Sequence, residues 1–368
     1  MKKIVYLMEY PLDLPGGAQL STEMIAAAFP DHPEYGYESV VICPELLDKS
    51  KSDYPFRVLT YPMTEKRFPN LLRRIKAFKK YISGVKPDLI HIEMSESLIT
   101  YGFIMKKFPE IPFIYTDRGM YFGYRKRSRI FMDPVLKRAS CLITTTEKNK
   151  GLWELNTEFG PVITIPNTVS SLFETYDEVK KKRGGRLSIG FAGRICVEKD
   201  WGKVPVILKE LEKEGADYDV KLVLSLYERG DREFADDLKK EITDIIGPDR
   251  LEYHEDLTQE EMSDFYYGVD LFIMTSVFES FGKAAVEAMS RHCAVMSTNV
   301  GGLPEVIGKE ENLYSMEDIS VLTAYVKKVS ADRDFLQREQ EYFYNRYHEN
   351  YTSDAYIKRH LDIYGNFT

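Results

Sequence analysis

Four cysteines in 368 residues, Cys43, Cys141, Cys196 and Cys293, are too few and too scattered to frame a disulfide scaffold. No CxxC pair and no histidine cluster stands near them, which excludes a zinc ribbon or finger and leaves reduced thiols as the default. Long apolar runs are missing as well. The opening "MKKIVYLMEYPLDLP" begins with basic residues as a signal peptide does, but its apolar run stops at Glu9, short of a signal h-region. No stretch approaches the ~20 apolar residues of a membrane span. The glycine-containing "GGAQLS" lacks the GxGxxG of a dinucleotide fingerprint, and no GKS or GKT follows to make a P-loop. These absences predict a cytoplasmic protein, peripheral at most at the inner face of a membrane, with no bound cofactor or metal.

What is present is ordinary for a globular chain: 43% hydrophobic and 29% charged residues, with 25 tyrosines. The net charge of -8 is unevenly spread, +4 over residues 1–176 and -12 over the remainder. Such a split predicts two bodies with different partners. Free nucleic acid is excluded as a partner of the acidic half.

Short β-branched runs alternate with longer amphipathic segments. The expected strands are 3–8, 38–43, 88–93, 112–117, 141–146 and 162–166, then, after the charged stretch "DEVKKKRGGR", 187–193, 220–226, 270–276 and 294–299. Near-continuous apolar strands separated by helices predict parallel sheets covered on both faces. The fold class is therefore α/β, with two doubly wound, Rossmann-like domains at 1–170 and 187–340, a linker at 171–186, and a tail of one or two amphipathic helices at 341–368. Ligands of such folds bind beyond the carboxyl ends of the strands, so a cleft between the domains is the expected site.

Three stretches carry chemistry. Gly16 and Gly17 lie between the first strand and a helix, where the backbone can approach an anion or simply turn. In "GFAGRICVEKDWGKV", Arg194 ends a strand and Lys199 follows in the next loop. They are either solvated charges or a pair able to neutralise a diphosphate. In "SVFESFGKAAVEAM", Glu279 belongs to a turn, Ser280, Phe281, Gly282 and Lys283 lead into a helix N-terminus, and Glu287 lies along that helix. The two carboxylates are surface charges, or they hold the two polyol ends of one ligand whose centre is anionic. A nucleotide-sugar has that composition.

The segment "SVFESFGKAAVEAMSRHCAVMSTNVGGLPEVI" resembles the E-x7-E region of retaining glycosyltransferases of family 4, which have the GT-B fold. "PGGAQLST", "PDLIHIE", "ITIPNTV", "FAGRICVEKD" and "YHENYTSDAYIKRHLDIYGNF" resemble further segments of that family in the same order. The resemblance implies that Arg194 and Lys199 bind the donor diphosphate, Glu279 holds the transferring sugar and Glu287 the ribose. It further implies that backbone around Gly17 and Phe281–Gly282 meets the sugar-phosphate, and that 341–368 crosses back onto the first domain. The implied reaction is metal-independent, retaining transfer from a nucleoside-diphosphate sugar, a UDP-sugar first among candidates, in surface polysaccharide or glycoconjugate synthesis.

Departures from the family pattern matter. Where many members have a histidine, this chain has Asp117 and Arg118, and Asp117 is the candidate replacement touching sugar or acceptor. Glu255 and His292 stand where glycines are common, and Lys283 replaces an apolar residue beside the diphosphate. A nucleotide-sugar epimerase would need an acid/base constellation that the sequence does not offer. A catalytically silent partner subunit would have no need to keep Arg194, Lys199, Glu279 and Glu287.

The acceptor is expected on the first domain. "EKRFPNLLRRIKAFKKYI" (65–82) reads as a basic amphipathic helix, with Leu71, Leu72, Ile75, Phe78 and Ile82 on one face and seven Lys/Arg, Arg74 among them, on the other. With "YRKRSR" (124–129) it predicts either ordinary solvated faces or affinity for an anionic membrane and a glycan, lipid-linked or otherwise anionic acceptor.

Overall fold

The computed structural model describes residues 1–14, 16–48, 53–64, 67–181 and 184–368; Glu65 and Lys66 of the expected basic helix lie outside them. The chain divides into two compact units, 1–168 with 353–368, and 169–352.

In the first unit the elements run β1 (Lys2–Leu7), α1 (Gly17–Asp31), β2 (Tyr37–Pro44), β3 (Arg57–Tyr61), α2 (Arg67–Val85), β4 (Leu89–Glu93), α3 (Ser95–Gly102), β5 (Phe113–Asp117), α4 (Lys126–Leu136), β6 (Cys141–Thr144), α5 (Glu147–Asn156) and β7 (Val162–Thr164). Its parallel sheet has the order β3-β2-β1-β4-β5-β6-β7. Side chains alternate across a strand, so β1 sends Val5 and Leu7 to one apolar layer and Ile4 and Tyr6 to the other. The second layer is completed from far along the chain by Tyr356, Ile363 and Tyr364.

The second unit holds β8 (Leu187–Arg194), α6 (Lys203–Lys213), β9 (Tyr218–Ser225), α7 (Asp231–Ile246), β10 (Leu251–Glu255), α8 (Gln259–Tyr267), β11 (Leu271–Met274), α9 (Lys283–Ser290), β12 (Ala294–Thr298), α10 (Leu303–Ile307), β13 (Leu313–Tyr314), α11 (Ser320–Ala331) and α12 (Arg333–Asn350). Its parallel sheet is ordered β10-β9-β8-β11-β12-β13. Local signals fix several helix starts. Thr258 and Glu261 form a reciprocal capping box at α8, and Asp332 caps α12 by accepting from Phe335 N.

The expected domain boundaries need two corrections. The boundary at 341 falls inside α12, which belongs wholly to the second unit; only α13 (Ser353–Phe367) returns to the first. The stretch 171–186 is not a free connector in its described part. Phe173 is a core residue of the second unit, and buried Lys181 donates to the carbonyls of Val269 (2.6 Å) and Arg291 (2.9 Å).

The return of α13 is secured by a buried polar network. Tyr364 Oη lies 3.1 Å from Tyr6 Oη and 2.8 Å from His91 Nδ1, whose Nε2 lies 2.6 Å from Thr116 Oγ1. Burial, with the Arg118 charge nearby, holds His91 well below the usual imidazole range. Arg118 grips Glu93 with Nε (2.8 Å) and Nη2 (2.9 Å), and Nη2 also donates to Tyr356 Oη (3.1 Å).

Candidate functional site

The second sheet reverses its winding between β8 and β11, and such a switch point leaves a crevice at the carboxyl ends of those two strands. Arg194 is the last residue of β8, exposed there, and Lys199 closes the helical turn Val197–Lys199 that follows. That turn is stitched to the segment after β11. Val277 N donates to Glu198 O (2.9 Å), and Thr275 Oγ1 donates to Lys199 O (2.7 Å). Trp201 Nε1 donates to Arg194 O (2.8 Å), holding the strand end against the turn. The result is a short ion pair, Lys199 Nζ to Glu279 Oε2 at 2.7 Å, with the side chains 19% and 20% exposed.

Glu279 is placed by its backbone. Gly302 N donates to Glu279 O at 2.9 Å. A Cβ on Gly301, where φ is +53°, would stand 1.8 Å from that same carbonyl oxygen, so only glycine fits. Gly282 begins α9 with φ +104°, and a Cβ there would meet Leu303 at 2.5 Å. The positive end of α9 thus opens within a few residues of Glu279. Phe281 points its ring inward against Tyr351 (5.8 Å between centroids), which leaves its backbone, with that of Ser280 and Gly282, as the part able to meet a ligand. Lys283 is the first residue of the helix and Glu287 lies one turn on. Tyr266 Oη donates to Glu287 Oε2 (3.2 Å). Burial pushes the Glu287 carboxyl up to about 7, opposed by the Lys283 charge and the Tyr266 hydroxyl.

The structure therefore brings Arg194, Lys199, Glu279, Lys283 and Glu287 to one end of the second sheet. Cations and helix-end amides can receive a diphosphate there, and two carboxylates can accept from hydroxyls on either side. Thr275, Trp201, Tyr266 and Gly301, which make the geometry, escaped sequence reasoning. Only the consecutive glycines of "NVGGLPEV" carried a signal.

In the first unit, Gly16 precedes α1 and Gly17 is its first residue, at the carboxyl end of β1. Asp117 is a different matter. It is fully buried, and four donors of its own unit consume its carboxylate: Gly119 N (2.9 Å) and Tyr124 Oη (2.5 Å) on Oδ1, Asn149 Nδ2 (2.9 Å) and Trp153 Nε1 (2.6 Å) on Oδ2. It is a structural hub and not the sugar contact expected of it. Glu255, ion-paired with Arg232 and accepting from Tyr253 Oη (2.7 Å), is likewise engaged. His292 has φ +51° and stacks on Tyr344 at 3.6 Å, a backbone conformation that explains a glycine at its place in related chains.

Residues 15–171 match the family described as Glycosyltransferase Family 4, and residues 173–346 match Glycosyl transferases group 1. The chain belongs to the family 4 glycosyltransferases. Among relatives of this glycosyltransferase, 2-deoxystreptamine glucosyltransferase of Streptomyces kanamyceticus is 29% identical over 212 residues, 54% of this chain and 53% of that protein. The match thus spans about half of that relative's length. The GPI3 subunit of phosphatidylinositol N-acetylglucosaminyltransferase from Saccharomyces cerevisiae is 23% identical over 329 residues, covering 85% of this chain and 69% of that one. Sucrose-phosphate synthase from Thermosynechococcus elongatus superposes with a TM-score of 0.82 at 17% identity, over 100% of this chain and 99% of that one. Anabaena HepE, in complex with UDP, gives 0.80 at 16% identity over 100% of both. The fold is GT-B.

Proposed function

We propose that this chain is a metal-independent, retaining glycosyltransferase that draws a sugar from a nucleoside-diphosphate sugar, with a UDP-sugar as donor. The observation that carries the reading is the Lys199–Glu279 pair at the β8/β11 switch point, beside Arg194 and the start of α9. In this reading Arg194 and Lys199 take up the diphosphate charge that grows as the bond to the sugar's anomeric carbon breaks. Glu279 holds the sugar's hydroxyls, and Glu287 accepts from the ribose. The acceptor hydroxyl attacks from the face the diphosphate leaves, and its proton passes to the departing phosphate oxygen. Anabaena HepE, solved with UDP and with UDP-glucose, supports the choice of uridine.

The acceptor side belongs to the same proposal. Exposed Phe122, Ile130 and Phe131 accompany exposed Arg125, Lys126 and Arg127 at α4, a composition that favours the surface of an anionic membrane. A phosphatidylinositol-specific relative supports a lipid-linked acceptor. No described helix is long and apolar enough to cross a membrane.

Thermal shift against UDP, GDP, ADP, TDP and CDP with chelator present tests the donor half. A ligand at a hundredfold its dissociation constant stabilises by about 2.7 kcal/mol, and UDP is expected to give the shift. Glu279→Ala should then lower transfer by about 10²–10³-fold while the UDP shift persists; transfer near the wild-type rate would sink the assignment. The consumed carboxylate of Asp117 favours one rival, a catalytically silent partner subunit. A UDP shift without any turnover of UDP-sugar, acceptor present, would establish it.

A further inference from the structure

A cavity of about 290 Å³ opens in the first unit between α2 and α3, lined by Phe68, Leu71, Arg74, Glu96 and Ile99. It lies at the carboxyl edge of the sheet. The lining residues come from the first turns of α2 and α3, and Glu9, two residues past β1, accepts from Ser97 N at 3.0 Å. This is the neighbourhood of that sheet's own switch point, between β1 and β4.

Arg74 corrects the expectation of a solvated basic face, because its side chain is only 3% exposed. Its Nη2 reaches Glu96 Oε2 at 3.1 Å, and its Nε finds no acceptor among the described residues. A buried donor left without a partner costs about 1–3 kcal/mol, so the cavity is built to receive an acceptor atom from outside. Charge narrows the choice. An anion would meet Glu96, 37% exposed, with Glu9 close behind; a cation would meet Arg74; a purely apolar group would leave Arg74 Nε unsatisfied. A hydroxyl both accepts and donates, and neighbouring hydroxyls on one ring can serve the guanidinium and the carboxylate together. Phe68, Leu71 and Ile99 offer apolar wall for the C–H face of such a ring. The volume is at the small end of the roughly 300–1,000 Å³ usual for ligand pockets, room for one ring.

We propose that this cavity is the acceptor subsite and that it takes a neutral, hydroxyl-bearing ring, a sugar or cyclitol, with its hydroxyls bridging Arg74 and Glu96. The proposal rests on the transfer reading for the word acceptor, but ring binding is measurable without it.

Saturation-transfer NMR on the full chain, with methyl glucoside, methyl mannoside, N-acetylglucosamine and myo-inositol at millimolar concentration, supplies the test. Glucose 6-phosphate and inositol 1-phosphate are the anionic counterparts. At least one neutral ring should bind, with little salt dependence and more tightly than its phosphate. Leu71→Trp, which fills the cavity, should abolish the signal, and the milder Glu96→Gln should weaken it several-fold; both should keep the wild-type UDP shift. Binding only of the phosphates, absence of binding by every neutral ring, or survival of the signal in Leu71→Trp would each overturn the proposal. Should Leu71→Trp fail to fold, unchanged binding in Glu96→Gln would do the same. Loss of the UDP shift in the wild-type chain would instead count against the donor reading alone.

Discussion

Asp117 and Glu279 both stand just beyond the carboxyl end of a central strand or at it, and the structure gives them opposite lives. What separates them is the number of donors each meets: four for Asp117, one ammonium for Glu279. A sequence shows where a carboxylate falls along the strand-helix alternation, and so Arg194, Lys199, Glu279 and Glu287 could be singled out. It does not show which donors converge from 7, 32 and 36 positions away, and so Asp117 was misjudged. Arg74 was hidden for the same reason, since one arginine in a run of basic residues carries no mark of burial. Buried Glu9 gives these environments a measurable sign. Burial raises its carboxyl from 4.5 to about 7, so the native chain holds a proton that the unfolded chain releases between those values. Its contribution therefore favours folding below pH 4.5 and is lost as pH rises through 7. Glu9→Gln should gain on the wild type between pH 5 and pH 8, by up to ~3 kcal/mol. Urea melts at three pH values check this, and parallel profiles would refute it.

Among the elements, the strands that sequence reasoning passed over are β3, β10 and β13, and all three are sheet edges. An edge strand has fewer neighbours to bury it, and "RVLTY" and "LEYHE" accordingly lack the apolar continuity of "LIHIE", which is buried at every position. The central strands, buried on both faces, were legible, and with them the winding of both sheets. The segment between β12 and α10 shows how one element fixes another's function. Gly301 lies against the carbonyl of Glu279 so closely that a methyl group would displace it. Gly301→Ala should reduce kcat/KM by about 10²-fold, the usual consequence of a misplacement near 1 Å, and lower the melting temperature. Gly230→Ala, where a Cβ would meet nothing within 4 Å, is the control. Steady-state kinetics on both variants decide the point; equal activity would show that Glu279 tolerates the shift.

At the scale of the whole molecule, the first unit is assembled from two separate stretches of chain. Its α13 contributes Tyr356, Ile363 and Tyr364 to a core layer otherwise made from the N-terminal half. Large buried side chains are worth about 3–5 kcal/mol each, and a domain's entire stability is about 5–15 kcal/mol. A chain ending at Thr352 should therefore lose amide protection in β1, β2 and β4 while β8, β9 and β11 keep theirs and UDP still stabilises. Hydrogen exchange read strand by strand gives the answer, and retained protection in β1 would make α13 an ornament. The same arrangement sets an order on the ribosome. α13 follows the entire second unit in the chain, so the unit whose strands are synthesised first is completed only after the other has already emerged. Through that interval Ile4, Tyr6, Val41 and Leu89 lack part of their cover. The nascent chain thus carries its stickiest surface at its oldest end, where a holding chaperone has the longest time to act.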